Sequence, residues 1–230
     1  MTTSKKNEFK EPQYDVLQEL KDDIGLASLG LMTNQVWHDD PRRLVFLLSR
    51  YKFVSKMLSG SAKVLEVGCG DAFGSRIVLQ EVKALTVIDF DPIFIRDINE
   101  RMDKKWGLEC FERDILEGPV AGGFNAAYCL DVLEHIPKEH ENTFMRNIAA
   151  SIETDGVLII GTPSAQSQAY ASPQSKEGHV NCQTGQQLKS LAGKFFKNVF
   201  IFSMNDEVVH TGFSPMAHYL FALCCGKRNV

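Results

Sequence analysis

The chain lacks the features that mark membrane, secreted or zinc-ribbon proteins. Its most apolar stretch, residues 217–225, is about nine residues long and contains His218, whereas a membrane-spanning helix needs ~20 apolar residues. No apolar signal-peptide segment follows the first methionine. The six cysteines form no C-x-x-C pair, so the spacing typical of zinc ligands is missing. We therefore expect reduced thiols in a cytoplasmic protein with no membrane partner.

A surplus of positive charge is also missing. Lys and Arg together number 25 and Asp and Glu 29, which gives a net charge of −4 and a pI near 5.9. Proteins that bind a nucleic-acid duplex usually carry a basic surplus. We therefore expect no nucleic acid as the main partner, and the sequence does not determine the oligomeric state.

The order of apolar segments indicates a parallel sheet with helices on both faces. With 230 residues, the chain suits one large domain with an attached cap. Residues 1–20 are polar, and residues 42–58 predict an amphipathic helix. Predicted strands follow at 63–67, 84–89, 107–111, 125–130, 156–161, 198–202 and 216–225, and helices at 75–82, 92–104, 141–152 and 184–194. Such alternation favours an α/β domain over residues 60–230 and a helical cap over residues 1–59.

A glycine-rich turn follows the first predicted strand, where residues 68–74 read GCGDAFG. Gly68 and Gly70 let the backbone approach a ligand where a Cβ atom would clash. Asp89 ends the second strand 19 residues after Gly70, which is the offset of a carboxylate that binds ribose hydroxyls. Strand, turn, helix, strand and acid therefore come in the order of a nucleotide-binding fold.

Two departures distinguish between cofactors. A dinucleotide site needs G-x-G-x-x-G/A, but Phe73 holds the third position here and Gly74 comes one residue later. Glu66, two residues before the first glycine, would repel a diphosphate and suits a cationic ammonium or sulfonium ligand. This pattern favours S-adenosylmethionine over NAD, and an NAD-dependent oxidoreductase is kept as an alternative.

Four segments resemble motifs of the class I S-adenosylmethionine-dependent methyltransferases. They read VLEVGCG at 64–70, VIDFDP at 87–92, FERDI at 111–115 and CLDVLEHIP at 129–137, the last being similar to the subgroup with small-molecule substrates. The resemblance covers about residues 60–203. It implies a Rossmann-like three-layer α/β sandwich, with a mostly parallel seven-stranded sheet and an antiparallel last strand. The family often has Gly where this chain has Ala72, so we expect a shifted turn.

The resemblance also implies which residues bind the methionine part of the cofactor. Glu66 would order the turn or meet the methionine ammonium through water. Gly68 and Gly70, with Cys69 between them, would let the methionine part come close. Leu130 would offer its backbone carbonyl to the methionine amine.

The adenosine part has its own implied contacts. The resemblance assigns the ribose hydroxyls to Asp89, a face of the adenine to Phe90, and the adenine edge to Asp114 with the backbone of Ile115. Tyr51, in the predicted cap, is a candidate for cation–π contact with the sulfonium, and packing of its helix on the sheet is the alternative.

Three histidines are candidates for the general base that a hydroxyl acceptor needs. His135 follows the fourth strand, His179 lies in the polar loop 162–181, and His210 lies between the last two strands. A structural histidine is the alternative at each position. Asp131 and Glu134 with His135 are weak candidates for holding a divalent ion, and without a clear further ligand we assign no metal site.

These residues predict an enzyme that moves a methyl group from S-adenosyl-L-methionine to an acceptor by in-line displacement, leaving S-adenosyl-L-homocysteine. We expect a small-molecule or sugar-like acceptor, methylated on oxygen rather than nitrogen, because the polar loops 162–181 and 204–214 carry histidines and the surface is not basic. A protein that binds S-adenosylmethionine for regulation, without transferase activity, is the main alternative.

Overall fold

The predicted strands pair into one mixed sheet. Within residues 9–229, which the computed structural model describes, the strands are β1 (Val64–Val67), β2 (Leu85–Asp89), β3 (Glu109–Glu112), β4 (Phe124–Leu130), β5 (Ile152–Pro163), β6 (Phe196–Asn205), β7 (Val208–His210) and β8 (Tyr219–Lys227). They lie in the order β3-β2-β1-β4-β5-β8-β6-β7. The first five run parallel, and β8 is antiparallel to both of its neighbours.

This topology confirms the predicted Rossmann-like fold with its antiparallel last strand. The sheet has one strand more than the seven expected, among the described residues, because β6 and β7 form a hairpin at its edge. The polar loop expected over 204–214 is therefore wrong in part, because residues 203–205 pair with residues 208–210, and His210 pairs with Ser203.

Helices cover both faces of the sheet. In the described part of the chain they are α1 (Asp15–Ile24), α2 (Leu31–Asp39), α3 (Arg42–Met57), α4 (Ser75–Val78), α5 (Pro92–Arg101), α6 (Glu141–Ser151), α7 (Pro173–Gly178) and α8 (Gly185–Gly193). Local signals explain several starts: Asp91 accepts from Ile93 N before α5, and Thr184 and Gln187 form a capping box at α8. The predicted helix at 75–82 is wrong in length, since α4 ends at Val78.

The N-terminal region is more ordered than its polar sequence predicts. Residues 1–8 of the predicted cap, and residue 230 at the other end, lie outside the described residues. α1 begins at Asp15, inside the polar segment 1–20, and neither α1 nor α2 was predicted. α1 buries none of its side chains, whereas α3 buries Tyr51 and Val54 against the sheet. No helix within residues 9–229 is both long and apolar enough to cross a bilayer.

Alternating side chains of the strands divide the apolar core into two clusters. Leu65 and Val67 join the cluster that packs against α6 and α8, and Val64 joins the cluster under α3. Because side chains alternate along a strand, Glu66 lies on the same side as Val64, under α3. The carboxyl ends of β1, β2, β4 and β5 meet at one edge of the sheet, where open α/β sheets bind ligands. All six cysteines of the sequence are free thiols.

Candidate active site

The glycine-rich turn is fixed to the neighbouring strand by its backbone. The amides of Gly68 and Cys69 both donate to Ile88 O, at 2.9 and 3.1 Å. Gly68 and Gly70 have φ of +72° and +53°, a region that favours glycine. Ala72 also has a positive φ, +51°, so the turn takes a left-handed conformation at the position where the family often has glycine. Burial raises the pKa of the Cys69 thiol, which is therefore inert.

Asp89 closes this turn from the end of β2. One carboxylate oxygen accepts from Gly70 N at 2.9 Å, and the other accepts from Asp91 N at 3.0 Å. The side chain is buried, and burial raises its pKa above the usual range of an aspartate. Beside it, Phe90 is 72 % exposed. A fixed carboxylate next to an open aromatic ring suits the ribose and base of a nucleoside.

The segment after β3 lies against the end of β2. Arg113 N donates to Asp89 O at 2.8 Å, which places Asp114 near the same edge. Asp114 accepts from Leu116 N at 2.8 Å and so caps a short 3₁₀ helix, Ile115–Glu117. Ile115 is buried, and its carbonyl accepts from the Asn147 side chain at 2.7 Å. The structure thus places Asp89, Phe90, Asp114 and Ile115 at the ends of the neighbouring strands β2 and β3.

Glu66 is buried beneath the turn and is held by two tyrosines. Tyr51 donates to Oε1 at 3.0 Å and Tyr128 donates to Oε2 at 2.6 Å. Burial raises the pKa of Glu66 to about 7, although the tyrosine hydrogen bonds favour the charged form. Tyr51 is itself only 6 % exposed and lies against Gly74, where a Cβ atom would come within 2.2 Å of the ring. The contacts of Tyr51 are therefore with Glu66 and the turn.

Helix α2 covers the glycine turn, a contact that sequence analysis missed. Asp71 accepts from Thr33 N at 2.7 Å and from the Thr33 hydroxyl at 3.2 Å, so a side chain of the turn caps α2. Met32 lies over Gly70, where a Cβ atom would come within 2.7 Å of its sulfur. No local pattern connects Asp71 with Thr33, because they are 38 residues apart in sequence.

A partly buried ion pair connects the cap to the end of β4, and this contact was also missed. Arg50 donates through Nη1 to both carboxylate oxygens of Asp131, at 2.8 and 2.7 Å, and its guanidinium lies over the Tyr219 ring at 3.9 Å. Asp131 has a positive φ of +57°, directly after Leu130, the last residue of β4. Such strain in a non-glycine residue often accompanies a functional site.

The structure brings two of the three candidate histidines together. The rings of His135 and His179 meet edge to face, with centroids 5.1 Å apart. Burial, with His135 beside it, lowers the pKa of His179, so its imidazole is neutral at pH 7. His210 lies apart, on the edge strand β7, and both of its ring nitrogens are engaged, with Gly212 N and Asn205 Oδ1.

Glu134 lies next to this pair and is fully buried. Its Oε2 accepts from Thr162 at 3.1 Å, and its Oε1 has no partner among the residues described. Burial, together with the nearby Asp131 carboxylate, raises the pKa of Glu134 to about 8. One ligand atom from each of Glu134, His135 and His179 lies within 4.8 Å of the others. The sequence suggested Asp131 as the third member of this cluster, but Asp131 is paired with Arg50. In the structure the third member is His179.

A parallel sheet, a glycine turn fixed to β2 and a strand-end acid beside an open aromatic ring define the class I S-adenosylmethionine-dependent methyltransferases. Comparison with known families agrees. The family model described as a methyltransferase domain matches residues 36–195, more than half of the chain. The chain therefore belongs to the methyltransferase-domain family, which confirms the resemblance found in the sequence.

Individual relatives are distant and differ in the atom that they methylate. The chain is 26 % identical to a ubiquinone biosynthesis O-methyltransferase of Xanthomonas axonopodis pv. citri (strain 306), over 64 % of this chain and 63 % of that protein. It is 29 % identical to a glycine N-methyltransferase of Oryctolagus cuniculus, over 44 % of this chain and 40 % of that protein. The chain thus matches less than two thirds of the length of these relatives.

A solved structure shows the same fold. The N-methyltransferase NodS from Bradyrhizobium japonicum WM9, in complex with S-adenosyl-L-homocysteine, superposes with a TM-score of 0.61 at 21 % identity. The match covers 94 % of this chain and 99 % of that one.

Proposed function

We propose that this methyltransferase methylates an oxygen of a small-molecule acceptor, with the His135–His179 pair activating the acceptor. The observation that carries the proposal is the pair of imidazoles that meet edge to face at the carboxyl edge of the sheet, beside the turn that would hold the cofactor. The O-methyltransferase relatives support oxygen as the atom. The net charge of −4 speaks against a polynucleotide acceptor, and the free thiols agree with a cytoplasmic setting.

The residues at the end of β2 fit the adenosine part of S-adenosylmethionine. Each Asp89 oxygen takes one backbone amide and keeps a further lone pair for a ribose hydroxyl. Phe90 offers its exposed ring as a stacking face for the adenine, and Asp114 with the backbone of Ile115 lies at the next strand end to meet its edge.

The methionine part would lie along the glycine turn. Gly68 and Gly70, with Cys69, present backbone rather than side chains, and Leu130 ends β4 beside them. Glu66 lies beneath the turn and fixes its position through hydrogen bonds with Tyr51 and Tyr128. Its carboxyl group would also supply negative charge near a cationic ligand. We retain the division into a cap at 1–59 and a cofactor-binding domain at 60–230; within the described part of the cap, α2 covers Gly70 through Met32.

S-adenosylmethionine supplies a methyl group on a sulfonium, whose leaving group is neutral and needs no proton. The protein must therefore orient the acceptor, exclude water and accept the proton of the acceptor hydroxyl. His135 and His179 are the groups placed for this last task, and the lowered pKa of His179 keeps its imidazole able to accept a proton at pH 7. His210 lacks a free ring nitrogen, so we give it a structural role in the hairpin.

Calorimetric titration with S-adenosyl-L-homocysteine tests the cofactor site. Phe90→Ala should weaken binding roughly tenfold or more, the loss expected when a base loses a stacking partner. Phe200→Ala is the matched control, because Phe200 is also exposed (53 %) but lies in the middle of β6. Equal affinities of the two variants would contradict the assignment.

Turnover assays test the acceptor. With aromatic diols and matched aromatic amines as probes, release of S-adenosylhomocysteine should favour the hydroxyl compounds. His135→Ala and His179→Ala should lower kcat strongly while cofactor affinity stays unchanged, whereas His210→Ala should have little effect. A preference for amines would overturn the oxygen assignment, and cofactor binding without any turnover would favour the regulatory alternative.

A further inference from the structure

The cluster of Glu134, His135 and His179 is assembled from two parts of the chain. Glu134 and His135 end a 3₁₀ helix after β4, and His179 follows α7 in the loop after β5. The two parts are joined directly, because Val180 N and Asn181 N both donate to Glu134 O, at 2.8 and 3.0 Å. The backbone thus fixes the distance between the histidine-bearing loop and the glutamate.

Hydrogen bonds set the same tautomer on both rings. His135 Nδ1 lies 2.9 Å from Gly178 O, and His179 Nδ1 lies 2.9 Å from Gln168 Oε1. A carbonyl oxygen only accepts, so each Nδ1 carries the proton and each Nε2 keeps a free lone pair. Metal-ligating histidines have this arrangement, with the outer nitrogen bonded to a carbonyl or carboxylate.

Glu134 supplies a second, independent observation that points to a cation site. Its side chain is fully buried, yet Oε1 has no hydrogen-bond partner within the described chain. A buried polar oxygen without a partner is costly, and the Nη1 atom of the nearby Arg50 is already paired with Asp131. An ion held between the Glu134 carboxyl group and the two imidazoles would give the glutamate the partner that it lacks.

We propose that Glu134, His135 and His179 bind one divalent transition-metal ion, and that this ion holds the acceptor oxygen. Two imidazoles and one carboxylate suit Zn²⁺, Mn²⁺, Fe²⁺ or Co²⁺, whereas Mg²⁺ prefers an all-oxygen shell. Three protein ligands leave coordination positions open for a hydroxyl or a pair of neighbouring hydroxyls. The statement that the ion holds the acceptor oxygen rests on the proposed function, whereas the metal site itself does not.

The ion would explain how the histidine pair activates the acceptor. A hydroxyl bound to a divalent ion loses its proton to water more readily, as metal-bound water does. The resulting oxygen takes the methyl group, the carbon–sulfur bond breaks, and its electron pair stays on sulfur in a neutral thioether. His135 and His179 then act as ligands and positioning groups, because their Nε2 lone pairs are used on the ion.

Titration of chelator-treated protein with Co²⁺ tests the site, followed by visible absorption and calorimetry. We expect one ion per chain, with more than tenfold weaker binding in His135→Ala and in His179→Ala. His140→Ala is the matched control, because His140 is exposed on the neighbouring 3₁₀ helix and should not affect binding. Circular dichroism of each variant checks the fold, and Glu134→Gln, which keeps the shape of the side chain, should weaken binding as well.

Three results would overturn the proposal: no saturable binding of Co²⁺, Zn²⁺ or Mn²⁺, unchanged binding in both histidine variants, or tighter binding of Mg²⁺ than of Mn²⁺. Titration of the metal-free protein with S-adenosylhomocysteine separates this proposal from the proposed function. Cofactor binding without an ion site would overturn only the metal proposal. An ion site without cofactor binding would support the metal proposal and overturn the proposed function.

Discussion

At the scale of single residues, Glu66 shows how burial changes the chemistry of an acid. The sequence motif places this carboxylate before the glycine turn, and the structure places it under α3 with both oxygens on tyrosine hydroxyls. Those two hydrogen bonds lower the free-energy cost of burying the carboxyl group of Glu66 in an apolar cluster. Its pKa of about 7 means that its charge changes within the physiological pH range.

The pH dependence of unfolding should therefore report on Glu66. Because folding raises its pKa from 4.5 to about 7, the native state keeps a proton that the unfolded state has released. The contribution of Glu66 to the free energy of unfolding is fully present below pH 4.5 and is lost as the pH rises through about 7. The loss is on the order of 2–3 kcal/mol. Urea unfolding at pH 5 and pH 8 should show a smaller loss in Glu66→Gln. Glu139→Gln, at an exposed position, serves as control, and parallel profiles of wild type and Glu66→Gln would refute this account.

At the scale of elements, a single glycine decides how α3 and α4 meet. Gly74 has ordinary helical backbone angles, so conformational freedom does not require glycine there. The requirement is space, since the Tyr51 ring of α3 occupies the place of a Cβ atom at 2.2 Å. Close packing at this point holds the Tyr51 hydroxyl on Glu66.

Gly74→Ala should destabilise the protein by about 1–3 kcal/mol, the usual cost of overpacking a filled site. Gly193→Ala is the matched control at the end of α8, where nothing lies within 4 Å of a new Cβ atom. There the change should be neutral or stabilising by up to ~1 kcal/mol. Thermal unfolding of the two variants measures the difference, and equal melting temperatures would show that Tyr51 moves aside freely.

At the scale of the whole molecule, polar contacts join the N-terminal helices to the edge of the sheet that carries the site. Thr33 meets Asp71, Arg50 meets Asp131, and Tyr51 meets Glu66. Each contact ends on a residue at or next to the candidate cofactor or acceptor site. We therefore expect the position of the cap to depend on the state of the site.

Asp71→Ala should release α2 from the glycine turn. Thr33 is buried, and its amide would lose its acceptor, so we expect a cost of about 1–3 kcal/mol. Asp103→Ala is the control: Asp103 also accepts a backbone amide, from Lys105, but within its own exposed turn. Amide hydrogen exchange at residues 31–39 should become faster in Asp71→Ala and should stay unchanged in Asp103→Ala. Unchanged exchange there would mean that Met32 and the rest of the interface hold α2 without this cap.

Much of the architecture followed from the sequence, because its causes are local. Apolar strands alternating with helices predicted the sheet, and the turn at 68–74 with Asp89 predicted the nucleotide edge. The failures have physical reasons too. α1 buries no side chain, so its polar sequence gave little sign of a fixed helix, and the strand pair at β6–β7 is an edge hairpin of mixed polarity.

The sequence by itself determined the fold, the family and the order of the cofactor motif, since these depend on periodicity and on residues a few positions apart. Only the tertiary structure decided which distant residues meet. It paired Arg50 with Asp131, placed Asp71 on α2, and joined His135 to His179 while leaving His210 on an edge strand. Loops of quite different length can bring such residues together, so spacing along the chain does not predict these contacts. They form because the folded sheet gathers the ends of several strands at its carboxyl edge.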